Sequence, residues 1–335
     1  MIRECDGHVG DLCAGMAIGT DINEAAYLLR AGGLVAIPTE TVYGLAANAF
    51  DEAAVLSIFQ VKERPSFDPL IVHIAGRQEL DRSVAELPPG SEALMDAFWP
   101  GPLTLVLPKR GAVPDLVTSG LDTVGVRMPA HPMTQALLRE LDFPLAAPSA
   151  NPFGYVSPTT AQHVADQLGD KVPYILDGGP CLVGVESTIL GWERTAAGKG
   201  QWMLYRAGGI PVEAIEEVIG RVRAHVEQVL PIAPGMLESH YAPRKPLYVG
   251  DVASLLRDRE PNRCGVVSLR TDHGAAMNEV LSPAGDLNEA AHNLFAALRR
   301  LDTSGCAVIL AEVFPDTGLG RAINDRLRRA ASKRG

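Results

Sequence analysis

Thr39, Glu40 and Thr41 follow directly on the apolar run Leu34 to Ile37, and Lys62 and Arg64 stand beside Glu63 and Pro65 further along the same stretch. A second apolar run, Pro69 to Ile74, carries His73 near its end. Runs this short, bounded by turn residues, suit buried strands. Two core strands thus bracket hydroxyls, a lysine and an arginine, the parts of a pocket for an anion. Arg127 sits inside the strand-like stretch Thr123 to Met128, where an unpaired charge would be costly. Ser149 and Asn151 close a run that starts at Pro144, and Ser187 lies within the run Val185 to Leu190.

The chain carries no nucleophile elbow and no glycine fingerprint of a Walker-type or dinucleotide site. His73, His131, His163 and His240 lack metal-ligand spacing. A reaction run by positioning and electrostatics fits better than covalent catalysis. A nucleoside triphosphate reaction has that character: cations neutralise phosphates, Mg²⁺ bridges them, and hydroxyls orient the attacking group. Arg64 suits a phosphate clamp better than Lys62, because its donors form a planar fork.

Each residue also has a plainer reading. Lys62 and Arg64 can pair with acidic neighbours, and Thr39 and Thr41 can satisfy a turn. Arg127 can be the partner of a buried Glu186. Ser149 and Asn151 can cap a turn, Ser187 can bond a core carbonyl, and His73 can be a neutral core histidine. What joins them is their recurrence at strand ends, where open α/β sheets form ligand crevices.

The positioning elements follow from periodicity and punctuation. Asp21 caps a helix through Arg30 with Ala25, Ala26, Leu28 and Leu29 inward. Further helices are expected over Asp51 to Phe59, around Leu80 and Val84, from Ser91 to Phe98, from His131 to Leu141, after a cap at Ser157 or Thr159, and from Pro211 to Val222. Strands are expected at Leu103 to Leu107, Tyr174 to Asp177 and Met203 to Arg206, with a hairpin tip at Thr195 to Gly200. Residues 1–20 show no period and read as an N-terminal extension, and 21–225 as the first domain. Residues 226–245 are a proline-rich linker whose Gly235-Met236 and Ser239-His240-Tyr241 are too specific for a mere tether and are expected to lie across a surface and touch a ligand. Residues 246–335 alternate strands (Pro246 to Val249, Cys264 to Leu269, Cys306 to Glu312) with helices, which predicts a small, mostly parallel α/β unit with a docking, regulatory or lid role. Its last helix is expected to carry Arg321, Arg326, Arg328 and Arg329 on or near its outer face.

With 335 residues, 47% of them hydrophobic, the chain has material for about two folded domains. The net charge of -10 argues against a protein that wraps nucleic acid, and 5% aromatic content against a stacking platform. No apolar run reaches the length of a membrane span, and no signal-peptide pattern is present, so a cytoplasmic protein is expected. Five scattered cysteines form neither a zinc pattern nor a disulfide framework.

The strings PTETVYGL, KxRP followed by PLIVH, WPGPLTLVL, VRMPxHP, APSAN followed by SPTTAxHV, DGG, GxEST and LYRAGGI occur in this order and resemble the YrdC/Sua5 family. The linker string PGMxxxHYAP and the C-terminal α/β unit resemble its long, two-domain Sua5 form, and the match runs over residues 21 to 335. The resemblance implies an open, twisted YrdC-like α/β catalytic domain with a concave cavity, followed by a small Rossmann-like Sua5 domain. It implies an L-threonylcarbamoyladenylate synthase, which condenses L-threonine, bicarbonate and ATP, with Mg²⁺, into L-threonylcarbamoyl-AMP and diphosphate. The product would pass to a TsaD/Kae1-type transferase that modifies adenosine 37 of tRNA to t6A. No stable tRNA binding is then required, and the oligomeric state, monomer or homodimer, stays open.

Carried over by position, Thr41, His73, Arg127, Ala147 and Ser187 resemble the threonine pocket, with Arg127 on the carboxylate. Lys62, Arg64, Asp68, Thr123, Ser149, Asn151, Ser157 and Arg206 resemble the ATP side, with Lys62 and Arg64 facing the triphosphate. Ala233 and His240 of the linker would come near the ATP. Asp68 stands where many relatives have asparagine, and would either bind Mg²⁺ or turn away. Two rivals remain: a same-fold module that binds RNA in its hollow, and an enzyme that makes a carbamoyl-adenylate from carbamoyl phosphate.

Overall fold

The computed structural model describes residues 16–194, 200–225, 233–236 and 240–332. Its larger sheet has eleven strands, in the order Ala17–Gly19, Tyr174–Leu176, Val35–Ile37, Gly44–Asn48, Leu145–Ala146, Ile71–His73, Thr123–Arg127, Leu103–Pro108, Thr188–Arg194, Gly200–Arg206 and Arg223–Ala224. Parallel and antiparallel pairs mix along it. The central strands are short and apolar because both their faces are covered. Leu45, Leu103 and Leu105 are fully buried in one cluster, and Val35, Ile37 and Leu145 in another.

Local signals acted as expected at several helix ends. Asp21 caps Ile22–Arg30 by accepting from Asn23 and Glu24, and Ala25, Ala26, Leu28 and Leu29 form its buried face. The helix Ser91–Phe98 has the anticipated bounds. Asp51 caps Glu52–Lys62, which runs one turn further than its apolar period and brings Lys62 inside.

Other expectations fail for identifiable reasons. Ala17–Gly19, assigned to a loose extension, pairs in parallel with Tyr174–Leu176, and three residues are too few to show a period. Gly44–Asn48 is a strand made of small residues with no β-branched member, so propensity hid it. Thr160, rather than Ser157 or Thr159, caps Ala161–Leu168. The strand expected from Val185 starts at Thr188, which leaves Ser187 at its entrance. Of the expected hairpin tip, residues 195–199 lie outside the described residues.

The smaller sheet is wholly parallel, in the order Leu247–Val249, Val308–Ala311, Cys264–Ser268 and Met277–Val280, the last unanticipated. Leu287–Thr303 and Gly320–Ala331 pack on it. One apolar cluster joins Phe295, Leu319 and Ile323 of this unit to Val42, Val156 and Val185 of the larger one. Arg326, expected toward the outside, is fully buried in that contact. No helix among the described residues is long and apolar enough to cross a membrane.

Candidate functional site

Strand register assembles the site. His73 pairs with Arg127 across neighbouring parallel strands, and Arg127 pairs with Thr104 on the next strand. Leu103 on that strand pairs with Thr188, which brings Ser187 within 2.8 Å of the Thr104 hydroxyl. On the other flank Ala147 donates its N–H to the Ile71 carbonyl, and Gly44 bridges to Ser149. A Cβ at Gly44 would lie 3.2 Å from that of Ala147, so the missing side chain lets the Ala147 to Ser149 segment close in.

These residues wall one hollow. Thr41, His73, Arg127, Ala147 and Ser187, the expected threonine pocket, all line it. From the expected nucleotide side Arg64, Ser149, Arg206 and His240 line it too. Arg127 is buried, with an ion pair to Glu40 at 2.7 Å and hydrogen bonds from Nη1 to Thr41 and from Nε to the Gly101 carbonyl. Its plainer reading, a pair with Glu186, is therefore wrong: Glu186 is taken by Arg326 at 2.8 Å. Glu40 takes the Nη2 end of that guanidinium, so Arg127 presents a held and partnered cation to the hollow.

Several expected residues stand behind the wall rather than in it. Lys62, expected to face a triphosphate, is buried and donates to the carbonyls of Ser149 and Asn151, each at 2.5 Å. It shapes the loop that carries Ser149. Asp68 pairs with Arg64 at 2.9 Å, which also donates to the Asp68 and Pro69 carbonyls. Asn151 donates to the carbonyls of Pro152 and Tyr155, and the Ser157 hydroxyl donates to Glu186 at 2.5 Å. Ala233 packs in an apolar cluster with Ile71, Val106 and Ile189. Thr123 begins the strand that Arg127 ends and does not line the hollow.

Sequence reasoning missed the wall positions of Glu186 and Pro234, singled out Gly235 without a role, and gave Tyr241 only as a neighbour. All four lie inside the quoted motif strings, which was the available signal. Gly235 holds φ +75°, and a Cβ there would fall 2.4 Å from the Tyr241 hydroxyl. Arg206 ties this linker to the sheet, donating to the carbonyls of Ser187 and Pro234. With Pro234, Gly235, His240 and Tyr241 lying across it, the space left is about 50 Å³, far below the several hundred Å³ of a ligand site.

The hollow is electropositive. Burial, and then Arg127, push the His73 pKa down to about 3. Burial, and then the Arg64 charge, hold both Lys62 and His240 well below their ordinary values. Burial lowers Arg64, against the opposing pull of Asp68, and lowers Arg206 as well. Among the described residues no three His, Cys, Asp or Glu side chains gather as a metal site. Glu40, Asp68 and Glu186 are each spent on an arginine, so this donor set does not fit a protein-held magnesium.

Two family models cover the chain. The Sua5/YciO/YrdC model, described as telomere recombination, matches residues 27–208, and a model described as threonylcarbamoyl-AMP synthase, C-terminal domain, matches residues 210–332. The threonylcarbamoyl-AMP synthase of Pyrococcus abyssi is 44% identical, across 93% of this chain and 94% of its own. That of Bacillus subtilis is 44% identical, across 93% of each chain. A crystal structure of P. abyssi Sua5 complexed with L-threonine superposes with a TM-score of 0.86 at 42% identity, covering 94% of this chain and 97% of that one. The chain belongs to the Sua5/YciO/YrdC family, in the long form that carries the threonylcarbamoyl-AMP synthase C-terminal domain.

Proposed function

We infer that this chain is a threonylcarbamoyl-AMP synthase, condensing L-threonine, bicarbonate and ATP into L-threonylcarbamoyl-AMP and diphosphate. The observation that carries the reading is the buried Arg127, set in register beside His73 and lining one hollow with Ser187 and with Thr41, to which its Nη1 donates. A carboxylate entering that hollow gains charge-assisted hydrogen bonds from the arginines that line it. The L-threonine complex of the P. abyssi relative supports the same assignment.

Arg64, Arg206, Ser149 and His240 form the nucleotide half, and Lys62 acts through the loop it braces. Asn151, Ser157, Thr123, Ala233 and Asp68 serve, in this reading, as supports of that half. The threonine amine takes up bicarbonate with loss of water to give an N-carboxylate. That carboxylate attacks the α-phosphorus of ATP, a P–O bond forms, and the bond to the departing diphosphate breaks. The protein's share is to hold two mutually repelling anions in one electropositive hollow. Magnesium enters as part of the ATP substrate, chelated by its phosphates. The linker withdraws to admit ATP and returns over it. The product passes to a TsaD/Kae1-type transferase for t6A synthesis in the cytoplasm.

Incubation with ATP, Mg²⁺, L-threonine and ¹³C-bicarbonate, followed by mass analysis, tests the reading. It predicts an adenylate carrying threonine and the labelled carbon. An adenylate formed only from carbamoyl phosphate would overturn it, as would salt-sensitive RNA binding without any adenylate.

A further inference from the structure

We propose that Arg326, contributed by the C-terminal domain, is a positioning residue for this reaction: one buried guanidinium fixes Glu186 of the hollow's wall and Tyr241 of the linker relative to each other.

The geometry is specific. Arg326 is fully buried, the largest side chain to be so among the described residues. Its Nε donates to Glu186 Oε2 at 2.8 Å, and its Nη1 donates to the Ala207 carbonyl and to Asp325. The other oxygen of Glu186 accepts from Ser157, so that carboxylate is held at both ends. The face of the Arg326 guanidinium lies 5.0 Å from the centre of the Tyr241 ring, which stacks against Phe295 at 5.8 Å. Tyr241 holds φ 62°, a conformation that L residues avoid unless the surroundings impose it. Its ring is clamped between two side chains of the C-terminal domain.

A second contact supports the same design. Arg299, from the helix Leu287–Thr303, donates to the carbonyls of Val156 and Ser157, the segment that meets Glu186. At Gly184 a Cβ would fall 2.4 Å from the His292 Cα, so the helix sits directly against the loop leading to Glu186 and Ser187. Glu186 and Tyr241 both line the hollow, whereas Arg326 does not. The C-terminal domain thus reaches the reacting groups only through others. The expected docking or lid role becomes, at this contact, that of an anchor on which the linker closes.

The inference rests on the synthase reading, and the test separates the two. Arg326→Met and Arg326→Lys are made in the full chain, alone and with Glu186→Gln, beside the parent protein. Turnover is measured as KM and kcat for ATP and threonine. Amide exchange is measured in the peptides holding Gly235 and Tyr241. Arg326→Met is expected to raise KM for ATP at least tenfold, with faster linker exchange in the absence of substrate. Arg326→Lys, which keeps the charge and one donor, is expected to fall between. Glu186→Gln added to Arg326→Met should recover melting temperature without recovering kcat/KM. Recovery of both would reduce Arg326 to a charge partner and overturn the proposal. Unchanged linker exchange in either Arg326 variant would do so as well, and that readout stands even if the parent makes no product, which would instead sink the synthase reading. Should Arg326→Met not fold, Arg326→Lys carries both measurements.

Discussion

Arg127 Nη2 lies 2.7 Å from Glu40 Oε1, and both side chains are buried. Glu40 holds the guanidinium in place at the wall of the hollow. Arg127→Lys keeps the charge and loses the fork, so the KM for threonine is expected to rise at least tenfold, about 1.4 kcal/mol or more, with a much smaller change for ATP. Steady-state kinetics with each substrate varied in turn checks this. An unchanged threonine KM would remove Arg127 from the carboxylate.

Asp68 faces Arg64 rather than a metal. Arg64 is also held by two backbone carbonyls, so it stays in place when the carboxylate is neutralised. Asp68→Asn is therefore expected to keep kcat/KM for ATP or improve it, with the Mg²⁺ concentration for half-maximal rate unchanged. A rise in that concentration would mean that the carboxylate serves the metal.

His73 supplies a pH signature. Its pKa in the folded chain is about 3, against an ordinary 6.5, because burial and then Arg127 disfavour the imidazolium. Between those values the unfolded chain binds the extra proton, so stability rises with pH across the window and is lost as the pH falls from 6.5. The slope from this one group is about 1.4 kcal/mol per pH unit at most. His73→Asn removes it, and melting between pH 6.5 and 4.5 should fall less steeply in the variant than in the parent. Equal slopes would show that His73 is not a buried neutral group.

Gly235 tests the linker without removing it. Its φ of +75° and the 2.4 Å from a built Cβ to the Tyr241 hydroxyl leave no place for a side chain in the closed form. Gly235→Ala should disturb closure by about 1–3 kcal/mol, a loss of roughly five- to 150-fold in kcat/KM for ATP, with melting little changed. Truncation after residue 225 should lower turnover further, and full activity of that fragment would contradict a role for the linker.

The legible parts of this protein were those written in local chemistry. The Asp21 and Asp51 caps and the apolar runs around Val35, Val72 and Leu105 announced their elements. The gathering of Thr41, His73, Arg127, Ala147 and Ser187 in one hollow was legible because they lie in contiguous motif strings at strand ends. The nucleotide half was less so. A lysine in a cationic string looks the same whether it faces a phosphate or, like Lys62, turns inward onto two carbonyls. Glu186 was read as the partner of Arg127 because nothing local connects it to Arg326. A charge on a helix that looks amphipathic is assigned outward until a tertiary partner claims it.

Diphosphate release from Mg²⁺-ATP, followed with and without L-threonine and with and without bicarbonate, is the most direct measurement. Release that requires both is the predicted result. Release that proceeds without threonine, or none with all three substrates present, would contradict a hollow built around Arg127 to join an amino acid to a nucleotide.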